Sequence, residues 1–499
     1  MYCAVLYERE RIFMRITKIM TRAISLLLVL LMLVPVVACS KDEEAVVITD
    51  TAVATNEAGL ELPFGKENYG KDFTVLYMQG TLAKNFYFDD VTEAGDVIKS
   101  ALLDRRMMIQ DYLGVNYVGK SEGSDYIKGV EALTRDSMAG VDQYQLALTH
   151  NYLGLTTLVS QNLILDFYEL EDISLNDEYW HMDAMEDLEI GGKAYFGSSD
   201  FLISDVAAVY FNKGMYEEYQ IADDPYELVR SGAWTLEKFM QLCSTVAVNS
   251  GDPKWDKEDT YGLGARADWE FIPFIDSCEV EWLTGSGYKT LNMGPDNEKY
   301  QTVYEKIEEM FDAEWSYMYN FGDNENKVTI ADGRFLFTLD SLKYATNYLA
   351  SDVKFGLLPY PKFDADQKEY HTLDVGGMMV IPSSITDRAM VGKTVECLSF
   401  YSGDTVNIAY YERLLGSRVA DVPDDAEMLD KYIFGTIALN PAMNFCEKAN
   451  EPLGILVYTI PKMLRSKING TAINTISTNW ASNRKAAQKV IDATLNSES

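Results

Sequence analysis

Apolar and polar positions along the chain predict strands and helices in turn from residue 72 onward. The segment DFTVLYM, residues 72–78, is a short apolar run typical of a buried strand. The segment GDVIKSALLDRRMMIQDYLG, residues 95–114, repeats apolar residues at helical spacing and stops at a glycine. VNYV, DYIKGVEALTRDSMAG and YQLALTH continue as strand, helix and strand. This order predicts an α/β fold with a parallel sheet covered by helices.

The pattern changes after residue 165. LEIGGKAYFG predicts a hairpin that turns at Gly191 and Gly192, and VAAVYF predicts a strand. Pro225 marks one helix start, Thr235 can cap the next helix, and residues 297–312 have a clear helical period. GRFLFTLD, KFGLLPYP and GGMMVIPSS predict further strands. No repeat of about 20 to 50 residues occurs, which disfavours a solenoid or a propeller.

The N-terminal residues show neither the helical period nor the pattern of a strand. A basic start and an apolar stretch over residues 23–37 predict a signal peptide at residues 1–38. The apolar stretch ends in VVAC, which resembles the lipobox of bacterial lipoproteins, and this resemblance implies that Cys39 carries a diacylglycerol and begins the mature chain. An ordinary secretory signal or a membrane anchor is the alternative. Residues 39–59 are rich in Asp, Glu, Thr and Ala and predict an acidic, flexible tether.

Composition narrows the classes of partner and cofactor. The chain of 499 residues has 77 acidic and 43 basic residues, and its net charge of −34 disfavours nucleic acid and anionic membrane surfaces as partners. The three histidines, His150, His181 and His371, lie far apart, and no paired Cys and His spacing is present, so we expect neither a metal nor another cofactor. The part after the tether is long enough for two lobes with separate cores.

Four cysteines fall in the part of the chain that is predicted to fold: Cys243, Cys278, Cys397 and Cys446. The first and third lie on apolar faces of predicted helices, where a thiol behaves as a small buried side chain. Their spacing matches no compact disulfide framework. We therefore favour free thiols, with disulfide pairing as the open alternative for an exported protein.

Two long segments carry a family resemblance. Residues 192–243 contain VYFNK, DDPYELV and AWTLEKF in this order, and residues 354–402 contain KFGLLPYP and GGMMVIPSS. Both segments resemble the family 1 extracellular solute-binding proteins of ABC transporters, and the resemblance extends over most of the chain from about residue 60. It implies a two-lobe periplasmic-binding-protein-like fold of type II with a ligand cleft between the lobes. Carried over, the boundaries are residues 60–163 plus 376–420 for lobe 1 and residues 164–375 plus 421–499 for lobe 2.

Candidate ligand-contacting residues lie mostly just beyond predicted strands, because binding groups in α/β lobes gather at the carboxyl ends of strands. A neutral sugar needs flat rings for its faces and planar amide or carboxylate groups for its hydroxyls. The resemblance and this rule together single out Gln79, His150, Asn151, Tyr152, Ser204, Asp268, Trp269, Asp340 and Trp480.

Several of these residues have a structural alternative. Residues 150–152 match the ligand-contacting loop of the family, but they equally suit a turn and a sheet cap. Trp269 resembles the stacking aromatic of the family, and Asp268 beside it suits a cleft better than an interior, where an unpaired charge is costly. Asp340 equally suits the N-cap of the helix SLKYATNYLA. Trp480 equally suits helix packing.

The resemblance implies a receptor that is lipid-anchored on the outer face of the cytoplasmic membrane. It captures a small solute, a sugar or an oligosaccharide in the first place, and delivers it to the permease subunits of an ABC importer without catalysis. We expect a monomer. Two alternatives stay open: a surface glycan-binding lipoprotein that is not coupled to a permease, and a glycoside hydrolase with two carboxylates in an aromatic cleft.

Overall fold

The computed structural model describes residues 53–78, 87–88, 97–122, 126–150, 154–251, 254–285, 289–419 and 422–496. The signal peptide, Cys39 and most of the predicted tether therefore lie outside the described residues. At the end of the tether, residues 53–59 form a turn in which the Glu57 N–H donates to Asp404 over 2.9 Å.

Strands and helices are numbered in chain order. The strands are β1 Lys71–Tyr77, β2 Val115–Lys120, β3 Leu146–His150, β4 Ala207–Asn212, β5 Ala247–Val248, β6 Thr260–Arg266, β7 Leu283–Thr284, β8 Thr290–Leu291, β9 Ser316–Tyr319, β10 Phe335–Ser341, β11 Phe355–Leu358, β12 Thr372–Leu373, β13 Gly377–Val380 and β14 Ile437–Ala438. The helices are α1 Val97–Leu113, α2 Tyr126–Met138, α3 Leu155–Ser160, α4 Met182–Asp187, α5 Lys213–Glu218, α6 Pro225–Arg230, α7 Leu236–Cys243, α8 Pro273–Ser277, α9 Glu298–Asp312, α10 Ala345–Tyr348, α11 Arg388–Ser402, α12 Pro423–Glu427, α13 Pro441–Asn444, α14 Pro452–Val457, α15 Thr459–Ile468 and α16 Ile476–Asn496.

The first sheet has four strands in the order β13–β3–β1–β2. Strand β1 pairs in parallel with β2 and with β3, and β13 joins β3 in antiparallel register with Gly377 opposite His150. Phe73, Val75 and Leu76 of β1 are fully buried, as a strand covered on both faces requires. The predicted α/β fold with a parallel sheet is confirmed, and one antiparallel strand comes from a distant part of the chain.

The second sheet has six strands. Five of them follow one another in the order β11–β4–β10–β6–β5, and the sixth, β9, also pairs with β6. Strands β9 and β10 both run parallel to β6, whereas β4 runs antiparallel to β10. Arg266, Tyr319 and Ser341 therefore end three parallel strands at one edge of the sheet, and β4 begins at that same edge. We call this the carboxyl edge of the second sheet.

Local capping groups explain where several helices begin. The side chain of Thr235 accepts a hydrogen bond from Lys238 N at the start of α7, and Asp224 accepts from Tyr226 N and Glu227 N at the start of α6. Asn297 caps α9 in the same way. These side chains satisfy N–H groups that lack a partner within the helix. The predicted helix starts at Thr235 and near residue 297 are confirmed.

The chain passes between the two sheets after β3, again before β13, and a third time along α11 and the π-type turns Gly403–Val419 that continue it. We call the backbone at residues 203–206, 372–377 and 434–440 the crossing segments. Backbone pairing holds them together, since Val206 bridges Asp374 and β12 pairs in parallel with β14. Residues 164–203 pack on α11, where Tyr179 Oη and Trp180 Nε1 donate to the buried carboxylate of Glu396 over 2.6 and 2.9 Å.

The four cysteines Cys243, Cys278, Cys397 and Cys446 are buried and unpaired. This agrees with the expectation of free thiols. Burial in an apolar environment raises the pKa of each thiol.

The stability of the protein should depend on pH through the buried carboxyl group of Asp276. Its carboxylate on α8 accepts from Asn440 Nδ2 over 2.5 Å, and burial raises its pKa to about 7. The pKa of Asp276 is higher in the folded protein than in the unfolded chain. The protonated carboxyl group therefore contributes to the free energy of unfolding. This contribution is fully present below about pH 4 and is lost as the pH rises through about 7. Thermal unfolding between pH 4.5 and 8 should show that Asp276→Asn removes this loss. Replacement of the exposed Asp366 by Asn should leave the pH dependence of the wild-type protein unchanged.

Candidate functional site

A cavity of about 540 Å³ lies against the crossing segments. Its lining includes Ser204, Asp374, Gly376 and Gly377 of the crossing segments, which we call its floor. Residues 180–184, at the start of α4, and the residues Phe434, Ile437 and Leu439 also line it, and we call these two groups its walls. We call this the crossing cavity. Its volume is in the range that accommodates a small organic ligand.

Carboxylates dominate the polar lining of the crossing cavity. Glu178, Asp183, Asp187 and Asp374 line it, whereas no Lys or Arg is among its lining residues in the described part of the chain. Burial raises the pKa of Asp374 to about 6, and desolvation together with nearby Asp183 raises the pKa of Asp187. The cavity therefore presents hydrogen-bond acceptors and negative charge, which suits hydroxyl donors and disfavours anions.

Two aromatic side chains in the cavity walls are fixed by neighbours. The Trp180 indole donates to Glu396 and packs edge-on against Phe167 at a ring distance of 6.0 Å. Phe434 packs edge-on against Tyr411 at 5.0 Å. Trp180 is only 3% exposed, so the partly buried Phe434 supplies most of the aromatic surface beside the acidic floor.

A chain of hydrogen bonds connects the cavity floor with the carboxyl edge of the second sheet. Asp374 Oδ1 accepts from Asp205 N over 2.9 Å and from Gly376 N over 2.6 Å. The Asp205 carboxylate in turn accepts from Ser341 Oγ and from Lys343 Nζ, the latter over 2.5 Å. Each carboxylate on this path is oriented by partners, so the acceptors on the floor are preorganised.

Of the predicted site residues that the structure describes, Ser204 alone lines the crossing cavity. Its backbone N–H donates to Tyr411 Oη over 3.2 Å. Asp374 is a cavity residue that the sequence analysis missed. Its position just before the strand GGMMV was the available signal, because the chain returns to the first sheet there.

Asp268 and Trp269 lie beyond the end of β6, at the carboxyl edge of the second sheet. Asp268 is 1% exposed and accepts from Arg465 Nη2 over 2.5 and 2.6 Å. Its charge is therefore satisfied by an ion pair in the protein. Trp269 is partly buried and packs edge-on against Tyr458 at 5.2 Å. Contact of Trp269 with a ligand stays a prediction.

The other predicted residues that the structure describes do not line the crossing cavity, and each has its own neighbours. Asp340 accepts from Tyr348 Oη and from Ser341 N, and the N-cap of the turn that follows is Ser341, so the alternative that Asp340 caps this segment is wrong. His150 is buried at the end of β3. The Trp480 ring packs so closely over Gly294 that a Cβ there would lie 2.6 Å from the indole. Gln79, Asn151 and Tyr152 lie outside the described residues.

The fold is similar to that of several solved structures. An ABC transporter solute-binding protein from Thermotoga lettingae TMO, bound with alpha-D-tagatose, superposes with a TM-score of 0.55 at 14% identity over 84% of this chain and 100% of that chain. The GacH receptor of Streptomyces glaucescens GLA.O, solved unliganded and with acarbose, gives 0.55 at 12% identity over 85% and 98%. UgpB from Mycobacterium tuberculosis, in complex with glycerophosphocholine, gives 0.55 at 15% identity over 80% and 99%.

No protein-family model and no curated protein sequence matches the chain. Among the helices that the structure describes, none is long and apolar enough to span a bilayer. The structural neighbours are binding proteins rather than enzymes. At the level of the fold, the chain has the two-lobe α/β architecture of the maltose-binding-protein-like solute-binding proteins of ABC transporters.

Proposed function

We propose that this protein is an extracytoplasmic solute-binding receptor of an ABC importer and that it captures a sugar or a short oligosaccharide by closure of two lobes. The observation that carries this proposal is the crossing cavity, because acceptor carboxylates and aromatic walls meet there beside the segments that join the two sheets. Neutral hydroxyls donate to carboxylates, and the C–H faces of a sugar pack on aromatic surface.

Contacts outside the lining of the crossing cavity support the closure. Glu447, in the segment before α14, accepts from Thr156 Oγ1, from Thr157 Oγ1 over 2.8 Å and from Thr157 N over 3.3 Å. These threonines belong to α3, which follows the last parallel strand of the first sheet. A contact of this kind can form and break as the lobes close and open, and a ligand that touches both lobes favours the closed form.

The remaining assignments belong to the same proposal. Lobe 1 comprises residues 60–163 plus 376–420, and lobe 2 comprises residues 164–375 plus 421–499, although residues 164–203 pack against α11 of lobe 1. A diacylglycerol on Cys39 anchors the protein to the outer face of the cytoplasmic membrane. The closed monomer delivers its ligand to the permease subunits and performs no catalysis.

Binding of neutral sugars is the direct test. A panel of neutral mono-, di- and oligosaccharides should contain at least one that raises the melting temperature of the purified protein, since a ligand that binds only the folded state stabilises it. Asp374→Asn keeps an acceptor for the N–H groups of Asp205 and Gly376 but removes a charge from the floor. It should weaken binding about tenfold, or about 1.4 kcal/mol by calorimetry. The exposed control Asp352→Asn should bind as the wild type does.

Three outcomes contradict the proposal. Release of hydrolysis products over many turnovers favours a glycoside hydrolase. Binding to long glycans, with no response to short sugars, favours a surface glycan-binding lipoprotein. The absence of any thermal shift across the panel removes the sugar as ligand.

A further inference from the structure

A second cavity, of about 400 Å³, lies beside α15 and the turn that leads to α16. Its lining includes Lys462 and Arg465 together with the amides of Asn469, Asn474 and Asn479. It shares no described lining residue with the crossing cavity, and no Asp or Glu is among its described lining residues. A cationic, amide-rich concavity of this kind is unusual in a chain with a net charge of −34. We call it the basic pocket.

Arg465 is held in place and still has hydrogen-bonding capacity. Its Nη2 donates to both carboxylate oxygens of buried Asp268, over 2.5 and 2.6 Å. Its side chain is 42% exposed and lines the pocket, so the part of the guanidinium that does not pair with Asp268 is accessible to a ligand. The ion pair orients the guanidinium, since a planar fork anchored on one side presents its remaining N–H groups in a defined plane.

Lys462 provides a second positive charge, one turn away on the same helix. Its Nζ donates to Ala449 O over 2.6 Å, which leaves two further N–H groups on the ammonium. Partial burial and the nearby charge of Arg465 lower the pKa of Lys462. Asp268 balances the charge of Arg465, so Lys462 gives the pocket a net positive charge, which a bound anion would offset.

The asparagine amides add hydrogen-bond donors, and a helix end adds positive character. Asn469 Oδ1 accepts from Asn320 Nδ2 over 3.2 Å, so its own amide N–H groups are left as donors. Helix α16 has 21 residues and begins at Ile476, and the pocket is lined by Asn474 before it and by Asn479, its fourth residue, whose Nδ2 already donates to Thr459 Oγ1 over 3.1 Å. The positive end of this helix therefore lies beside Lys462 and Arg465.

We propose that the basic pocket binds an oxyanion, a phosphate or carboxylate group of a small molecule, through Arg465, Lys462 and Asn469. This site is separate from the crossing cavity, where acidic side chains disfavour anions. The proposal does not depend on the proposed function, because the pocket and its charges are independent of what the crossing cavity holds.

Calorimetry on the purified protein at low ionic strength tests the proposal with inorganic phosphate, glycerol phosphate and glucuronate as anions and glucose as the neutral control. At least one anion should bind with a Kd below about 1 mM. Tight binding of inorganic phosphate indicates that the free ion is sufficient, whereas binding of glycerol phosphate or glucuronate alone indicates an anionic organic ligand. Lys462→Met should weaken the binding at least about tenfold, and Lys462→Arg should largely restore it.

The matched control is Lys448→Met, since this lysine is 53% exposed and lies outside the basic pocket. It should leave anion binding unchanged. Arg465→Lys keeps a cation beside Asp268 but loses the planar fork; it should also weaken binding and serves as the test if Lys462→Met does not fold. Equal losses in Lys462→Met and Lys448→Met, or no anion binding below about 1 mM, would overturn the proposal. Neither result bears on neutral sugar binding, which is measured separately with Asp374→Asn.

Discussion

Replacing Asp425 with alanine should lower the free energy of unfolding by about 3–5 kcal/mol. The Asp425 side chain on α12 is 1% exposed and accepts from Lys213 Nζ over 2.6 Å, from Tyr226 Oη over 2.5 Å and from Leu357 N over 3.2 Å. Alanine leaves a lysine charge, a hydroxyl and a backbone N–H without their acceptor in a buried setting, and each loss costs free energy.

This cluster attaches the third connection between the sheets to the second sheet, because Lys213, Tyr226 and Leu357 belong to α5, α6 and β11. Urea denaturation compared with the neighbouring variant Asp424→Ala gives the measurement. Asp424 pairs with Arg230, and its side chain is 46% exposed, so its loss should cost less than about 1 kcal/mol. Equal effects of the two replacements would contradict the role of Asp425.

Gly262→Ala should destabilise the protein by more than about 3 kcal/mol or prevent folding. A Cβ on Gly262 in the buried strand β6 would lie 1.8 Å from Cys243 O and 2.5 Å from Cys243 C. These are backbone atoms at the end of α7, so no side-chain rotation relieves the overlap. The approach of α7 to the second sheet depends on this glycine.

The control for Gly262→Ala is Gly65→Ala, because a Cβ on Gly65 meets nothing within 4 Å. This change should alter the free energy of unfolding by no more than about 0.5 kcal/mol. Any increase in stability would come from the lower conformational entropy of the unfolded chain. Circular dichroism and urea denaturation of the two variants check the pair. A Gly262→Ala variant with the unfolding midpoint of the wild type would show that the helix moves away from the strand at little cost.

Elements with a strong local pattern were predicted well. β1, α1, β3, β4 and α9 follow from hydrophobic period and capping residues, since these depend on neighbours a few residues apart. The segment SLKYATNYLA was predicted as one helix, but it forms a three-residue 3₁₀ turn, Leu342–Tyr344, followed by the four-residue α10. Ser341, rather than Asp340, caps this turn, and Asp340 is instead held by Tyr348.

The candidate site was predicted less completely. Asp268 has the features of a cleft carboxylate in sequence, yet its partner is Arg465, 197 residues later. The only local signal at Asp374 is its position just before a predicted strand, and it became a site residue because the crossing backbone places it beside Ser204 and Asp205. Spacing along the chain does not reveal such partners, because the free energy of a buried charge depends on which groups the fold brings within hydrogen-bonding distance.

The sequence by itself determined the α/β class, most of the strands and helices, and the acidic character of the protein. Only the tertiary structure decided that Gly377 lies opposite His150, that Glu396 anchors Trp180, and that acidic and basic side chains collect in two separate cavities. The physical reason is one of range. Backbone propensity and hydrophobic period act over a few residues, whereas burial, ion pairing and cavity shape depend on contacts between segments that are hundreds of residues apart.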